Sequence, residues 1–284
     1  MTSLPRPEPA LRDVVRDGIR LRTWRWPGDA PVALLLHGIG NYGRYWDPFA
    51  DAIDGRLGLV ATDARGHGES AKPETGYTVD EFVADAIAVL DAHGTQRALL
   101  VGHSMGGSHA TLLAGTHPDR AVGLVVIDNS PEPLPEGSER ARRLSLERPD
   151  RFASRAAAEA YLRRTSPGYS DAVYANRLRW LFHDDGHGLA WQSSSNALRE
   201  IMRAHRPTHD VWAAWRAVRC PTLVVRGTRS NVLSAETARR MAAERPATRL
   251  VELDAGHNVP LDRPLEMADA VVDFARFLAG RQVL

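Results

Sequence analysis

The residue best placed for chemistry is Ser104, which lies in the pentapeptide GHSMG at residues 102–106. An apolar run at residues 99–101 precedes the motif, and the small and apolar residues 108–114 that follow it are typical of a buried helix. A strand, a sharp turn and a helix in this order expose a serine hydroxyl at the tip of the turn. A serine in that position attacks carbonyl carbons once a neighbouring base takes its proton.

Two glycines support this interpretation of the turn. A strand and a helix that meet at a tight turn leave no room for side chains two positions before and after the serine, and Gly102 and Gly106 have no Cβ. A helix that begins at the serine also brings free N–H groups and the positive end of its dipole beside the hydroxyl. Because such a pentapeptide also occurs by chance, these flanking features carry the prediction that Ser104 is a nucleophile.

The composition excludes several other classes of protein. The chain has 284 residues, 43% hydrophobic and 25% charged, which is ordinary for a soluble globular protein with a sizeable core. A net charge of +1 gives no attraction to nucleic acid or membrane, and the single Cys220 excludes an internal disulfide. The first nine residues contain no apolar signal region, and no run approaches membrane-spanning length. We expect a cytoplasmic protein that acts on a small molecule, and the sequence leaves its oligomeric state open.

Strand and helix patterns alternate through the first 130 residues. Two strands joined by a tight turn at Asp17-Gly18 come first. Short, continuously apolar runs then predict strands at residues 32–36, 57–62, 97–101 and 122–127. Thr78 and Glu81 form a capping box that opens a helix, which Gly94 ends. Apolar strands that alternate with helices indicate a mostly parallel sheet covered on both faces.

The alternation stops at residue 131 and resumes near residue 221. Residues 131–216 begin with prolines, continue as Arg- and Ala-rich helical segments and contain four of the seven tryptophans. We expect an all-helical lid here, so that residues 1–130 and 217–284 form the core and 131–216 form a cap. Beyond it, the patterns predict a strand at 221–227, a helix at 234–244, a strand at 249–253 and a final helix at 264–280.

Four motifs each lie at the carboxyl end of a predicted strand. They are His37-Gly38, the octapeptide DARGHGES at residues 63–70, the GHSMG pentapeptide and Gly256-His257. In this order they resemble the α/β-hydrolase family, and the resemblance covers nearly the whole chain. It implies the α/β-hydrolase fold, a mostly parallel eight-stranded sheet flanked by helices with a lid. In open α/β sheets, ligands bind at the edge formed by the carboxyl ends of the strands, where the four motifs are predicted to lie.

The resemblance also implies roles for particular residues. His257 corresponds to the general base, and the pKa of an imidazole suits proton transfer near neutral pH. The backbone N–H groups of Ile39 and Met105 correspond to the oxyanion hole. His37 and His67 lie in loops and are expected to make structural hydrogen bonds. Neither a metal nor an organic cofactor is implied.

The acid of the expected triad departs from the usual family position. That position follows the strand after the lid, where this chain has Ser230 and Asn231, neither of which carries a negative charge. A second location known in the family, the end of the strand after the elbow helix, holds Asp128. We therefore expect Asp128 to orient the imidazole. Asp254 is a rival, and capping of the first lid turn is the structural alternative for Asp128.

These features predict a serine hydrolase that cleaves a carboxylic ester of a small to medium, partly apolar substrate through an acyl-enzyme on Ser104. The same triad also suits thioester, lactone or carbon–carbon bond hydrolysis and perhydrolysis. Similarity to dehalogenases or epoxide hydrolases would require an aspartate at position 104. The alternative from another class is a catalytically silent ligand-binding protein, which the missing acid at Ser230 and Asn231 supports. Arg226 and Arg229, near the site, are expected on a solvated face.

Overall fold

A computed structural model of the chain describes residues 8–204 and 211–281. The first part of the core contains β1 (Ala10–Arg16), β2 (Ile19–Trp26), β3 (Ala33–Leu36), α1 (Asp47–Ile53), β4 (Leu59–Thr62), α2 (Val79–Ala92), β5 (Ala98–His103), α3 (Met105–Thr116) and β6 (Ala121–Ile127). The next segment contains α4 (Pro135–Leu146), β7 (Arg151–Phe152), α5 (Arg155–Thr165), α6 (Asp171–Trp180), β8 (Phe182–Asp184), β9 (Leu189–Trp191), α7 (Ser195–Ala204) and α8 (Val211–Ala217). The last part contains β10 (Thr222–Gly227), α9 (Ala235–Glu244), β11 (Thr248–Leu253), α10 (Val259–Asp262) and α11 (Pro264–Gly280).

Eight strands form the central sheet in the order β1-β2-β4-β3-β5-β6-β10-β11. Strand β2 runs antiparallel to its neighbours β1 and β4. The other six strands of this sheet, β4, β3, β5, β6, β10 and β11, run parallel to one another. The predicted mostly parallel eight-stranded sheet is therefore confirmed. Every residue of β3, β5 and β6 is buried, because α1 and α11 pack on one face while α2, α3 and α9 pack on the other.

Local sequence signals set the bounds of several elements as predicted. Asp17 and Gly18, both with positive φ (50° and 78°), make the turn between β1 and β2. The hydroxyl of Thr78 accepts a hydrogen bond from the Glu81 N–H at 3.4 Å and caps α2. No helix in the two described ranges is long and apolar enough to cross a membrane. The first seven residues, on which the expectation about a secretion signal largely rests, lie outside those ranges.

The prediction that the inserted segment is all-helical is wrong. Strands β7, β9 and β8 form a small antiparallel sheet between its helices, and residues 205–210 of the segment lie outside the described ranges. Each strand has only two or three residues, too few for a side-chain alternation to be visible in the sequence. Phe152, Phe182 and Trp191 pack together, with ring centroids 4.5 to 5.8 Å apart, and give this sheet an aromatic core.

The inserted segment is fixed to the core by partly buried polar and aromatic contacts. Asn176 of α6 accepts a hydrogen bond from the Tyr42 hydroxyl and donates one to the Asp47 carboxylate, both at 2.7 Å. Trp180 packs edge-on against Trp24 of the sheet, with centroids 6.0 Å apart. A cavity of 810 Å³ remains between the segment and the carboxyl ends of the core strands.

Candidate active site

Ser104 lies between β5 and α3 with φ 52° and ψ −122°, a backbone conformation that is strained for any residue except glycine. A Cβ on Gly102 would lie 2.2 Å from the Gly106 carbonyl oxygen. One on Gly106 would lie 2.1 Å from the Leu36 carbonyl oxygen. The tight turn therefore requires glycine on both sides. The Ser104 side chain lines the cavity.

His257 and Asp128 lie together at the same edge of the sheet. The Nδ1 atom of His257 is 2.7 Å from the Oδ2 atom of Asp128, although the two residues are 129 positions apart in the chain. Asp128 follows β6 directly, is fully buried and has a φ of 44°. His257 follows β11 and lines the cavity together with Ser104. The structure thus brings the predicted base and acid into direct contact.

Three groups hold the Asp128 carboxylate. Besides the contact with His257, its Oδ1 atom accepts a hydrogen bond from the Gly227 N–H at 3.0 Å, and its Oδ2 atom accepts one from the Ser230 hydroxyl at 2.5 Å. Ser230 Oγ in turn accepts hydrogen bonds from the N–H groups of Val232 and Leu233, so its single hydrogen is available to Asp128. Sequence reasoning treated Ser230 as an empty acid position and missed this contact.

The other assignments for the acid do not fit the geometry. Asp254 has an exposed side chain that pairs with Arg229 and Arg263. Asp128 does not cap α4, whose N-cap residue is Leu134.

The loop after β3 passes directly beside the serine. A Cβ on Gly38 would lie 3.1 Å from the Ser104 Cβ, so the next residue, Ile39, is close to the nucleophile and lines the cavity. Met105 begins α3, and its N–H therefore has no acceptor within the helix. These are the two backbone groups that the resemblance assigned to an oxyanion hole.

Two buried histidines fix this loop, as expected. His67 Nε2 accepts a hydrogen bond from the Gly40 N–H, and His37 Nε2 accepts one from the Ala64 N–H, both at 3.0 Å. The Nδ1 atom of each ring faces a backbone carbonyl and donates to it, so both rings are neutral. Burial lowers the pKa of His37 to about 4 and that of His67 well below its usual value.

The family model of the alpha/beta hydrolase fold matches residues 31–264. The chain belongs to the α/β-hydrolase family. It is 31% identical over 223 residues to 2-(acetamidomethylene)succinate hydrolase of Mesorhizobium japonicum, a match that covers 78% of this chain and 79% of that protein. It is 28% identical over 265 residues to the putative carbamate hydrolase RutD of Caulobacter sp. (strain K31), covering 87% and 91% of the two chains.

Solved structures agree with this assignment. The crystal structure of E-2-(acetamidomethylene)succinate hydrolase superposes with a TM-score of 0.86 and 29% identity over 94% of this chain and 99% of that one. An α/β hydrolase from Novosphingobium aromaticivorans superposes with a TM-score of 0.82 and 27% identity over 94% of this chain and 98% of that one. These two relatives are named as hydrolases, which supports a hydrolase activity for this α/β-hydrolase.

Other motif residues of this α/β-hydrolase support the loops around the site. The guanidinium group of Arg65 makes two 2.7 Å hydrogen bonds to the buried Asp85 carboxylate, which fixes this loop to α2. Asp63 accepts hydrogen bonds from the Gly43 and Glu69 N–H groups, both at 2.6 Å, and burial raises its pKa to about 7.

His103, which precedes Ser104 in the chain, is hydrogen-bonded to the loop that carries His257. It is buried, stacks on Tyr45 with centroids 5.5 Å apart, and its Nε2 atom donates to the His257 carbonyl oxygen at 2.9 Å. Burial holds the pKa of His103 well below its usual value, so the ring remains neutral. These contacts direct the His103 side chain towards Tyr45 and the His257 backbone.

Proposed function

We propose that this protein is a serine hydrolase that cleaves a carboxylic ester of a small to medium, partly apolar substrate through an acyl-enzyme on Ser104. The observation that carries the proposal is the 2.7 Å contact between His257 and Asp128 beside the cavity that Ser104 lines. A histidine ring held by a buried carboxylate is the base that a serine hydroxyl needs.

In the first half of the reaction, Ser104 Oγ attacks the carbonyl carbon while His257 Nε2 takes the hydroxyl proton. Asp128 holds the imidazole with its Nδ1–H directed at Oδ2 and stabilises the imidazolium that forms. The N–H groups of Ile39 and Met105 donate to the oxyanion, and the loss of one such donor typically costs about 3 kcal/mol. The carbon–oxygen bond then breaks, and the alcohol leaves with the proton from His257.

In the second half, water attacks the acyl group on Ser104 and gives a proton to His257. The tetrahedral intermediate collapses, the carboxylic acid leaves, and the proton returns to Ser104 Oγ. We further propose that residues 131–216 act as a cap, because they supply much of the lining of the cavity around the two reacting residues. A cap over the site limits the access of bulk water to the oxyanion.

The relatives favour a second candidate, the hydrolysis of an amide-type bond. One is named as a hydrolase of 2-(acetamidomethylene)succinate and others as putative carbamate hydrolases, so the substrates in their names contain a carbonyl bonded to nitrogen. The same residues serve this reaction, with one added demand. An amine leaves only when His257 protonates its nitrogen as the carbon–nitrogen bond breaks.

Intact mass after exposure to a fluorophosphonate tests the nucleophile. Ser108 lines the same cavity and provides a matched control. We expect one adduct on the wild type and on Ser108→Ala, and none on Ser104→Ala. An unmodified wild type would refute the proposal and favour a catalytically silent binding protein.

A second measurement chooses between the two bonds. Methyl esters, the corresponding N-methyl amides and the N-methyl carbamates would be compared by kcat/KM on the wild type. A higher value for the esters supports the first candidate, whereas turnover of only the amides or carbamates replaces it with the second.

A further inference from the structure

The cavity beside Ser104 has an unusual distribution of charge. Six arginines line it, whereas no aspartate or glutamate does among the described residues; the six are Arg140, Arg142, Arg148, Arg177, Arg199 and Arg203. A cleft lined by one sign of charge focuses the electrostatic potential and attracts ligands of the opposite sign. Arginine is abundant throughout this chain, so the contacts of these side chains decide which of them is available to a ligand. Arg140 donates to the Thr165 carbonyl, and Arg199 is exposed.

Several of these arginines have ordinary surface roles. Arg142 pairs with Glu139 and Glu147, and Arg203 pairs with Glu200. Arg229, which does not line the cavity, is exposed and pairs with Asp254, as expected for a solvated residue. The same expectation is wrong for Arg226, which is 8% exposed because its guanidinium is held by Glu252 and by the Leu233 carbonyl. These ion pairs account for their positions without a ligand.

Arg148 is different, because it is buried and no carboxylate of the described residues lies within ion-pair distance of it; Asp150 acts on it only at longer range. Arg148 is 8% exposed, the only buried arginine of the six. Its Nη1 atom donates to Ser193 Oγ at 2.9 Å, its Nη2 atom donates to the Ser193 carbonyl at 2.8 Å, and the guanidinium lies 4.3 Å from the Trp191 ring centroid. Desolvation lowers the pKa of Arg148 to about 10, which still leaves the group charged at neutral pH. A buried charge normally has a counter-ion.

The contacts with Ser193 leave one edge of the guanidinium unused. A guanidinium has five N–H groups, and Ser193 takes one from each Nη atom. The Nε atom is buried and has no acceptor within the described part of the chain. The Nε and Nη2 atoms form an edge that matches the two oxygens of a carboxylate. The Nε atom of Arg177, another residue of the cavity lining, is also buried without an acceptor in the same described ranges.

We propose that the substrate carries a carboxylate group and that Arg148 binds it at this edge. This inference rests on the proposed function, because it places the carboxylate in the same molecule as the carbonyl that Ser104 attacks. We place this carboxylate in the acyl half, so that the substrate is a monoester or monoamide of a dicarboxylic acid and the acyl product is a dicarboxylate; the substrates compared below test this form of the proposal. Stacking on Trp191 explains where the guanidinium lies but leaves its Nε–H without an acceptor.

Matched substrates test the charge without changing the shape. The monomethyl esters of succinate, glutarate and adipate would each be compared with the ester whose free carboxylate is replaced by a carboxamide. We expect the wild type to prefer the carboxylate by about ten-fold or more in kcat/KM for at least one chain length, the effect of a charge-assisted hydrogen bond. In Arg148→Met the preference is expected to disappear, mainly through a higher KM for the carboxylate ester.

Arg245 provides a matched control elsewhere in the core. It is also 8% exposed, lies 5.0 Å from the centroid of Trp215 and donates to Thr222 and Cys220, but it does not line the cavity. Arg245→Met is expected to lower thermal stability and to retain the preference for the carboxylate. Equal losses on both esters in Arg148→Met, or no preference in the wild type, would overturn the proposal.

A binding measurement separates this inference from the proposed function. Calorimetric titration of succinate, glutarate and adipate into Ser104→Ala requires no turnover. We expect at least one dicarboxylate to bind about ten-fold more tightly than it binds the Ser104→Ala/Arg148→Met double variant. Dicarboxylate binding by a protein that fluorophosphonate leaves unmodified would keep this inference and reject the hydrolase. Modification of Ser104 without any dicarboxylate binding would do the reverse.

Discussion

Replacing Asp128 by asparagine removes the proposed charge with almost no change in shape, and the structure indicates how the side chain must then lie. The Gly227 N–H faces Oδ1 at 3.0 Å, whereas His257 and Ser230 face Oδ2. If the amide oxygen takes the Oδ1 position, its NH₂ group faces His257 Nδ1. The ring then carries its proton on Nε2 and cannot accept the proton of Ser104.

The opposite orientation of the amide is also unfavourable. Its NH₂ group would then face the Gly227 N–H at a fully buried position, and two donors left without acceptors cost about 1–3 kcal/mol each. Both orientations therefore impair catalysis. We expect Asp128→Asn to lower kcat/KM by about 10³- to 10⁴-fold, the loss produced by the wrong imidazole tautomer in a Ser-His-Asp triad. This corresponds to ~4–5.5 kcal/mol of transition-state stabilisation.

The assay is ester hydrolysis together with the rate at which a fluorophosphonate modifies Ser104, because both reactions need the base. Asp254→Asn is the matched control, since this exposed carboxylate lies three residues before His257 and pairs with arginines instead. We expect Asp254→Asn to retain activity within about three-fold of the wild type, because exposed charges outside buried networks usually contribute little. A loss of less than about ten-fold in Asp128→Asn, or a larger loss in Asp254→Asn, would refute the assignment of the acid.

Three further predictions concern the groups around the site. Ser230→Ala removes a 2.5 Å hydrogen bond to a buried carboxylate, so we expect the free energy of unfolding to fall by about 1.5–3 kcal/mol in urea titrations and kcat to fall with it. Gly106→Ala would place a Cβ 2.1 Å from a backbone oxygen, and we expect little folded protein by circular dichroism. Gly280→Ala, with open space around its Cβ and no positive φ, is the control and should fold. Burial lowers the pKa of His37 from 6.5 to about 4, so the unfolded chain binds more protons and stability rises with pH. From pH 5 to pH 7 this effect raises the free energy of unfolding by about 2 kcal/mol. Urea titrations should show that His37→Asn lacks this increase. Burial raises the pKa of Asp63 to about 7, which acts in the opposite direction, but it does so equally in both proteins.

Features of the fold that depend on neighbouring residues were predictable. The GHSMG pentapeptide predicted a strained turn because its requirement for glycine comes from atoms within the strand–turn–helix unit and the adjacent strand. The bounds of α11, Pro264–Gly280, agree with the prediction because proline and glycine act on the backbone where they occur. Strands β7 to β9 were missed because segments of two or three residues carry no measurable periodicity.

Contacts between distant positions limited what could be predicted of the site. Ser230 reaches Asp128 across 102 positions, and Arg148 reaches Ser193 across 45. Neither residue belongs to a motif, and Arg148 is one arginine among many. Its distinguishing features are burial and the lack of a carboxylate partner among the described residues, which emerge only when the fold is known.

The register of the sheet explains why the carboxylate beside His257 can follow β6 instead of β10. Strands β6 and β10 are parallel neighbours in which Ile127 lies opposite Val225, so both strands end at nearly the same level. A side chain just beyond either strand can therefore approach the loop that carries His257. In this chain Asp128, at the end of β6, supplies the carboxylate, and Ser230, beyond β10, donates a hydrogen bond to it. A buried carboxylate at one strand end needs donors rather than a second charge from its neighbour, because two adjacent carboxylates would share a proton and lose the charge that the imidazolium requires.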